Sequence, residues 1–238
     1  MKYLIYLTTT CFILLSTSSA LCGIVIGNYY VSPVGCAGGC SDIIAYHNCD
    51  ALGDLTKYTG SATVGYDASF ALDTSTQAVG TGSWQGNGTT YDVITIPIAS
   101  NVDLTNGRIG FYLRIDNTST TGHVLTATTT TDVRMTYYNS GSFRVYYMGT
   151  DDYLNYGTLT QGVWYFMEMA FDSGTDTVTV YKDGVSIGTV TGSTAITSTN
   201  LYFGDAIGNA TPMAIDQFIS SSDNARDIYA VRATTNFN

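Results

Sequence analysis

Three arginines carry the first chemical signal in this chain. Arg114, Arg134 and Arg144 each lie within four residues of a tyrosine, in the stretches FYLRI, VRMTYY and FRVYY. A guanidinium offers a planar fork of N–H donors that fits a carboxylate or sulfate bidentately. A phenol ring supplies a flat face on which a sugar can stack. Together they suit an anionic polysaccharide. Catalysis has less to work with. Neither His47 nor His123 falls on these stretches, and no pair of carboxylates stands among them. A lyase could use Tyr as base and Arg to neutralise a uronate, and that is the one catalytic alternative these residues leave. Gly184-Val185-Ser186-Ile187-Gly188 spells a nucleophile-elbow pattern. That elbow needs a strand before it and a helix after it, whereas this run follows a hairpin turn and continues as strand. No glycine-rich loop fits a phosphate cradle.

The elements that position these arginines read as strands, in which alternate residues face opposite ways. In 107–116, Ile109, Phe111, Leu113 and Ile115 share a core face, leaving Tyr112, Arg114 and Asp116 outward. In 133–138, Val133, Met135 and Tyr137 face the core, leaving Arg134 and Tyr138 outward. In 143–148, Phe143, Val145 and Tyr147 face the core, leaving Arg144 and Tyr146 outward. In 164–172, Tyr165, Met167, Met169 and Phe171 oppose Trp164, Phe166 and Glu168. If these strands are neighbours, one outer face gathers Tyr112, Arg114, Arg134, Tyr138, Arg144, Tyr146, Trp164 and Glu168 as a ligand site. The bland alternative is cross-strand pairing of good exposed strand residues, with Arg bound to Asp116 or Glu168. The Trp164–Phe166–Glu168 face is too apolar for open solvent. It is either a groove floor or covered, for example by the cysteine-bearing N-terminal segment.

The strongest local signal is Gly162–Gly188, three antiparallel strands in a row. A strand over 164–172 is followed by the turn cluster 173–176, a second strand over 177–182, and Asp183-Gly184 before a third. Asp-Gly favours the two-residue type I′ hairpin, which fixes register. Further strands are expected at 62–66, 69–72, 91–98, 107–116, 124–128, 133–138, 142–148, 200–203, 213–220 and 228–232. Many short strands separated by turn residues predict an all-β, antiparallel two-sheet sandwich or jelly roll. Three prolines and 45% hydrophobic residues fit a globular core.

The net charge is −10, and Glu168 is the only glutamate among 19 acidic residues. Such a chain is no nucleic-acid binder, since that affinity comes from Lys and Arg on phosphates. Aspartates in loops suit Ca²⁺, and Asp205, Asp216 and Asp223 near the last strand are the candidate ligands. The competing reading is solubility and turn capping. Residues 1–20 read as a signal peptide: Lys2, an apolar run, and Ser18-Ser19-Ala20 before the cut. The apolar run is too short to span a bilayer, so the chain is expected to be secreted, extracellular or at the cell surface. Residues 21–49 form a segment with Cys22, Cys36, Cys40 and Cys49. In an exported chain these read as two disulfides of open connectivity; a zinc knuckle that includes His47 is the weaker alternative. Gly23–Val34 is strand-like and either covers a sheet edge or joins a neighbouring molecule. Residues 50–238 are expected to form the sandwich. Asn87, Asn117 and Asn209 begin Asn-x-Ser/Thr sequons.

The order of motifs from about Asp50 onward resembles the concanavalin A-like lectin/glucanase superfamily, and within it the laminin-G-like jelly rolls. The residues that carry it are Gly107-Arg108-Ile109-Gly110-Phe111-Tyr112-Leu113-Arg114, then Gly162-Val163-Trp164-Tyr165 with Val180-Tyr181-Lys182-Asp183-Gly184, then Ile215-Asp216-Gln217-Phe218-Ile219. The resemblance implies a jelly-roll sandwich with a glycan-binding or cell-surface role, often with Ca²⁺ at one edge. It also admits glycosidases and lyases. The superfamily's glucanases need two glutamates on one strand, which one glutamate cannot supply. The Gln-x-His and Tyr-x-Lys-x-Gly motifs of its lyases are absent. A non-catalytic glycan binder is therefore the leading expectation, with a structural or adhesive assembly protein joined through Gly23–Val34 second and a polysaccharide lyase third.

Overall fold

The computed structural model describes residues 42–47, 49, 55–57, 60–62, 64–66, 70–87, 93–98, 101–127, 133–147, 153–192, 197–204 and 212–234. The strands in chain order begin with β1 (Ile43–His47), β2 (Leu55–Lys57), β3 (Gly60–Ala62), β4 (Gly65–Tyr66), β5 (Ala71–Asp73) and β6 (Ser83–Gly86). Next come β7 (Val93–Pro97), β8 (Arg108–Ile115), β9 (Gly122–Ala127), β10 (Val133–Tyr137), β11 (Ser142–Tyr147) and β12 (Tyr153–Thr158). The last are β13 (Trp164–Asp172), β14 (Thr177–Lys182), β15 (Val185–Thr191), β16 (Asn200–Gly204) and β17 (Met213–Ser221), followed by helix α1 (Ile228–Thr234). One sheet runs β15-β14-β13-β8-β17-β1-β2-β3, with β6 also on β17 and β5 on β6; the other runs β12-β11-β10-β9-β16-β7-β4. The pairings are antiparallel, and the fold is an all-β two-sheet sandwich. Among the described residues no helix is long and apolar enough to cross a membrane.

The strand faces expected from alternation are the faces observed. Ile109, Phe111, Leu113, Met135, Val145, Met167, Met169 and Phe171 are buried between the sheets. Phe203 meets Phe111 and Phe218 edge-on there, with ring centroids 4.8 and 5.8 Å apart. The β14–β15 hairpin turns at Asp183 and Gly184 with φ of 51° and 79°, as a type I′ turn requires.

Two expectations are corrected. The run 228–232, rich in β-branched residues and expected as strand, is α1. Asp227 Oδ1 accepts the Ala230 amide 2.8 Å away as an N-cap, and Ile228 and Val231, one helical turn apart, are both buried. Ile43–His47, assigned to the N-terminal segment before residue 50, is an interior strand paired with both β17 and β2. The sandwich therefore already includes β1. Gly23–Val34, Cys22, Cys36 and Cys40 lie outside the described residues.

Candidate functional site

The eight residues expected on one face divide between two. β8 pairs with β13 and β17 in the first sheet, whereas β10 lies between β9 and β11 in the second. Tyr112, Arg114, Trp164 and Glu168 thus lie on the outside of one sheet, and Arg134, Tyr138, Arg144 and Tyr146 on the outside of the other. A single binding face built from all eight is ruled out by the strand order.

On the first sheet the four residues serve structure. Glu168 is fully buried, and its Oε2 takes Arg108 through Nε at 2.8 Å and NH2 at 2.7 Å. The Arg108 guanidinium also lies 4.0 Å over the Tyr181 ring. Removing either partner would strand a buried charge, at a cost of about 3–5 kcal/mol. Tyr112 packs edge-on against Phe166 at 5.0 Å, inside a second apolar cluster of Ile43, Phe166, Ile219 and Ile228. Over Phe166 the cover expected for this face is α1, through Ile228 and Tyr229, together with Ile43 of β1. Arg114 is 7% exposed and donates from Nε to Asp116 Oδ1 at 2.6 Å and from NH2 to Gln85 Oε1 at 3.3 Å. Trp164 sits beneath it, with its centroid 5.1 Å from the Arg114 guanidinium carbon.

On the second sheet the arrangement differs. Register places Tyr153, Tyr146, Arg134, Thr126 and Tyr202 directly opposite one another across β12, β11, β10, β9 and β16. A parallel outward row runs Asn155, Arg144, Thr136, His123. Arg134 lies 4.1 Å over the Tyr146 ring, and Arg144 lies 4.4 Å from Tyr138 and 4.1 Å from Tyr153. The Tyr138 and Tyr146 hydroxyls meet at 2.7 Å. His123 Nδ1 is 2.9 Å from Thr136 Oγ1.

Two things set this cluster apart. Arg108, Arg114 and Arg226 each engage a carboxylate: Glu168, Asp116 and Asp42. Arg134 and Arg144 engage none among the described residues, and the Nε of each is buried without an acceptor. The second distinction is electrostatic. Burial raises the Tyr146 phenol, but hydrogen bonds from Tyr138 and Arg144 and the charges of Arg144 and Arg134 outweigh it and hold Tyr146 below its ordinary value. Burial and donation to Tyr146 push Tyr138 the other way. The hydrogen bond to Tyr146 holds the Arg144 guanidinium more firmly protonated.

Tyr153 and Tyr202 belong to this surface and went unassigned in sequence. The run 153–158, YLNYGT, alternates Tyr153 and Asn155 outward against Leu154 and Tyr156 inward, but it is short and ends in Gly-Thr. Of the expected calcium ligands, Asp216 and Asp223 are each engaged with backbone amides. Asp205 lies outside the described residues. Asp216 is buried within β17, where its Oδ2 accepts the Ala78 and Val79 amides at 2.8 and 2.9 Å. Asp223, beyond the far end of β17, accepts the Ala225 amide at 2.9 Å as a turn cap. Among the described residues no three His, Cys, Asp or Glu side chains form a metal-sized group. Cys49 is buried, with its sulfur 3.9 Å from the His47 carbonyl oxygen; the three cysteines among which its disulfide partner was expected lie outside the described residues. A cavity of about 380 Å³ lined by Ile44, Ile98, Val102, Asp103, Leu104, Thr105 and Ser198 contains none of the expected site residues.

No protein-family model and no curated protein sequence matches the chain. Solved structures do match. The chain is similar to Trypanosoma rangeli sialidase in complex with 2,3-difluorosialic acid, at 12% identity and a TM-score of 0.63, over 90% of this chain and 35% of that one. It is similar to the receptor-binding domain of botulinum neurotoxin C/D mosaic serotype, at 12% identity and 0.61, over 81% and 51%. It is also similar to botulinum neurotoxin type C in a structure titled for cell entry dependent upon interaction with two ganglioside molecules, at 13% and 0.60, over 83% and 51%. The chain spans about half the length of the neurotoxin chains and about a third of the sialidase. At such identities the likeness is one of fold, and the fold it places this chain in is the β-sandwich.

Proposed function

We propose that this chain is a secreted, non-catalytic, lectin-like module of the concanavalin A-like jelly-roll type, and that it binds acidic carbohydrate on the outer face of the β12-β11-β10-β9-β16 sheet. One observation carries the reading. In a chain of net charge −10, two arginines stand among tyrosines with no carboxylate to satisfy them among the described residues. An orphaned buried donor costs about 1–3 kcal/mol, and an acidic ligand removes that cost for any donor it reaches. The tyrosine rings lie 4.1–4.4 Å from the guanidinium carbons, and the donors not engaged by Tyr146 suit a carboxylate or sulfate. The matched structures support the theme, since their titles name gangliosides and a sialic acid derivative.

A glycan array probed with the purified protein, with and without EDTA, tests the reading. Binding to acidic glycans is expected. Absence of binding to every acidic and neutral glycan removes the proposal, and unchanged binding in EDTA removes the calcium expected from the sequence. One observation favours a second reading. The oppositely displaced Tyr138 and Tyr146 could serve a lyase as acid and base beside a uronate held by arginine. Release of unsaturated uronate from a polysaccharide would establish that activity, and its absence would remove it.

A further inference from the structure

From the register of the second sheet we infer that the ligand is a linear, polyanionic glycan chain laid across the strands, rather than a single terminal acidic sugar. This rests on the carbohydrate reading above and goes on to name the substrate class.

The two guanidinia that meet no carboxylate among the described residues stand apart from each other. Arg134 opposes Tyr146, and Arg144 opposes Thr136, so the two arginines are diagonal neighbours on adjacent antiparallel strands. Such neighbours stand about 7–8 Å apart. Tyr146 lies between them, with its ring under Arg134 and its hydroxyl bonded by Arg144. A carboxylate held bidentately fills one fork, whereas acid groups on successive sugars can take one each. The aromatic positions extend the same line. Tyr153, Tyr146, Arg134, Thr126 and Tyr202 form one straight row perpendicular to the strands. Five strands at about 4.8 Å spacing give a track of about 19 Å, the length of an oligosaccharide and too long for one ring. Thr126 is 4% exposed and short, so the row dips between Arg134 and Tyr202. The track thus offers a ring face at each end and cations at its middle.

The test is a chain-length series of oligouronates, disaccharide to octasaccharide, titrated calorimetrically against wild-type protein, Tyr202→Ala, Tyr153→Ala and Arg134→Gln, with melting curves as fold controls. Affinity should rise roughly tenfold or more from disaccharide to hexasaccharide and then level off. Tyr202→Ala should remove most of that gain; Tyr153→Ala, which also takes a ring from beside Arg144, should weaken every length. Arg134→Gln should weaken every length, and added salt should weaken long chains more than short ones. An acidic mono- or disaccharide that binds as tightly as the longer chains overturns the inference and leaves the lectin reading standing. So does a folded Tyr202→Ala protein with an unaltered length series. Failure of every glycan to bind overturns both. Equal competition by poly-glutamate or single-stranded DNA would show a general polyanion surface and overturn the glycan assignment.

Discussion

Arg144 and Arg114 are the same side chain used in opposite ways. Arg114 is tied to Asp116 and Gln85, and its guanidinium faces Trp164. Arg144 has tyrosine rings beside it and no acid among the described residues. Substituting glutamine should separate the two roles. Arg114→Gln leaves Asp116 short of its charge partner in a part-buried site and should lower stability by about 1–3 kcal/mol without changing glycan affinity. Arg144→Gln should leave the melting temperature nearly unchanged and reduce affinity for acidic glycans by about ten- to a hundredfold, the range of a charge-assisted hydrogen bond. Calorimetric binding and thermal melts on both variants decide it; equal losses of stability would refute the distinction. The tyrosine pair gives a second handle. Tyr146 is held below the ordinary phenol value, so it is the first of the pair to ionise as pH rises. Its phenolate would neutralise the guanidinia and repel an anionic ligand. A group with a depressed folded pKa favours the fold once ionised, so its ionisation does not itself unfold the protein. Affinity should therefore decline below pH 10 while the fold persists, and Tyr146→Phe should abolish that decline. Binding titrations alongside absorbance at the phenolate band measure both.

At the scale of elements, α1 shows both how a short helix closes a sheet face and why the sequence concealed it. Strand parity already marked Phe166 and Glu168 as too buried in character for solvent. The cover itself was masked by composition: Ile-Tyr-Ala-Val reads as strand, and seven residues are too few for a helical period to show. The overlooked signal was Asp227, three residues before the amide it caps. The seat for α1 is Gly110. A Cβ there would stand 2.8 Å from Phe166 and 3.0 Å from Ile228, so only glycine lets the helix approach β8. Gly110→Ala should therefore destabilise by about 1–3 kcal/mol through overpacking. Urea unfolding of this variant is the check, and an unchanged midpoint would mean that α1 does not bear on the sheet. β13 and β14 were legible to the residue because long period-two runs and an Asp-Gly turn act together. β1 and β12 were not, since each is a short run beside cysteine, glycine or paired aspartates.

For the molecule as a whole, the limit on reading the site lay in topology. Parity along each strand assigned Arg114, Arg134 and Arg144 to their outward sides, but it carries no information on which strands adjoin. That depends on crossovers, and the crossover from β8 to β9 moves the chain from one sheet to the other. Arg114 and Arg134 therefore share a direction in their strands and not a surface. The same closure of two sheets over aromatic layers sets the alkaline limit of the fold. Burial, reinforced by Asp176 and Asp172, pushes the Tyr147 phenol up to about 12. Burial raises Tyr156 still further, with its hydroxyl donated to the Tyr181 carbonyl at 2.8 Å. A group whose folded pKa is raised contributes its stabilisation in full below the unfolded value, near 10 for tyrosine, and loses it as pH climbs toward the folded value. On the acid side, Asp42 is held down despite its burial by hydrogen bonds from Arg226 and Ser221, and Asp103 by those from Thr105 and Asn106. Their contribution is complete above about pH 4 and disappears below it. The unfolding free energy should therefore be flat from about pH 5 to 9 and fall on either side. Above pH 10 Tyr147 and Tyr156 should stay protonated until the sandwich opens. Their absorbance should then appear in one cooperative step, coincident with loss of the far-ultraviolet sheet signal. Tyr156→Phe should shrink that step and shift it to higher pH, because one fewer buried phenol then pulls the equilibrium toward the unfolded chain. Smooth titration of Tyr147 and Tyr156 near pH 10, with the sheet intact, would show that neither phenol is sealed between the sheets.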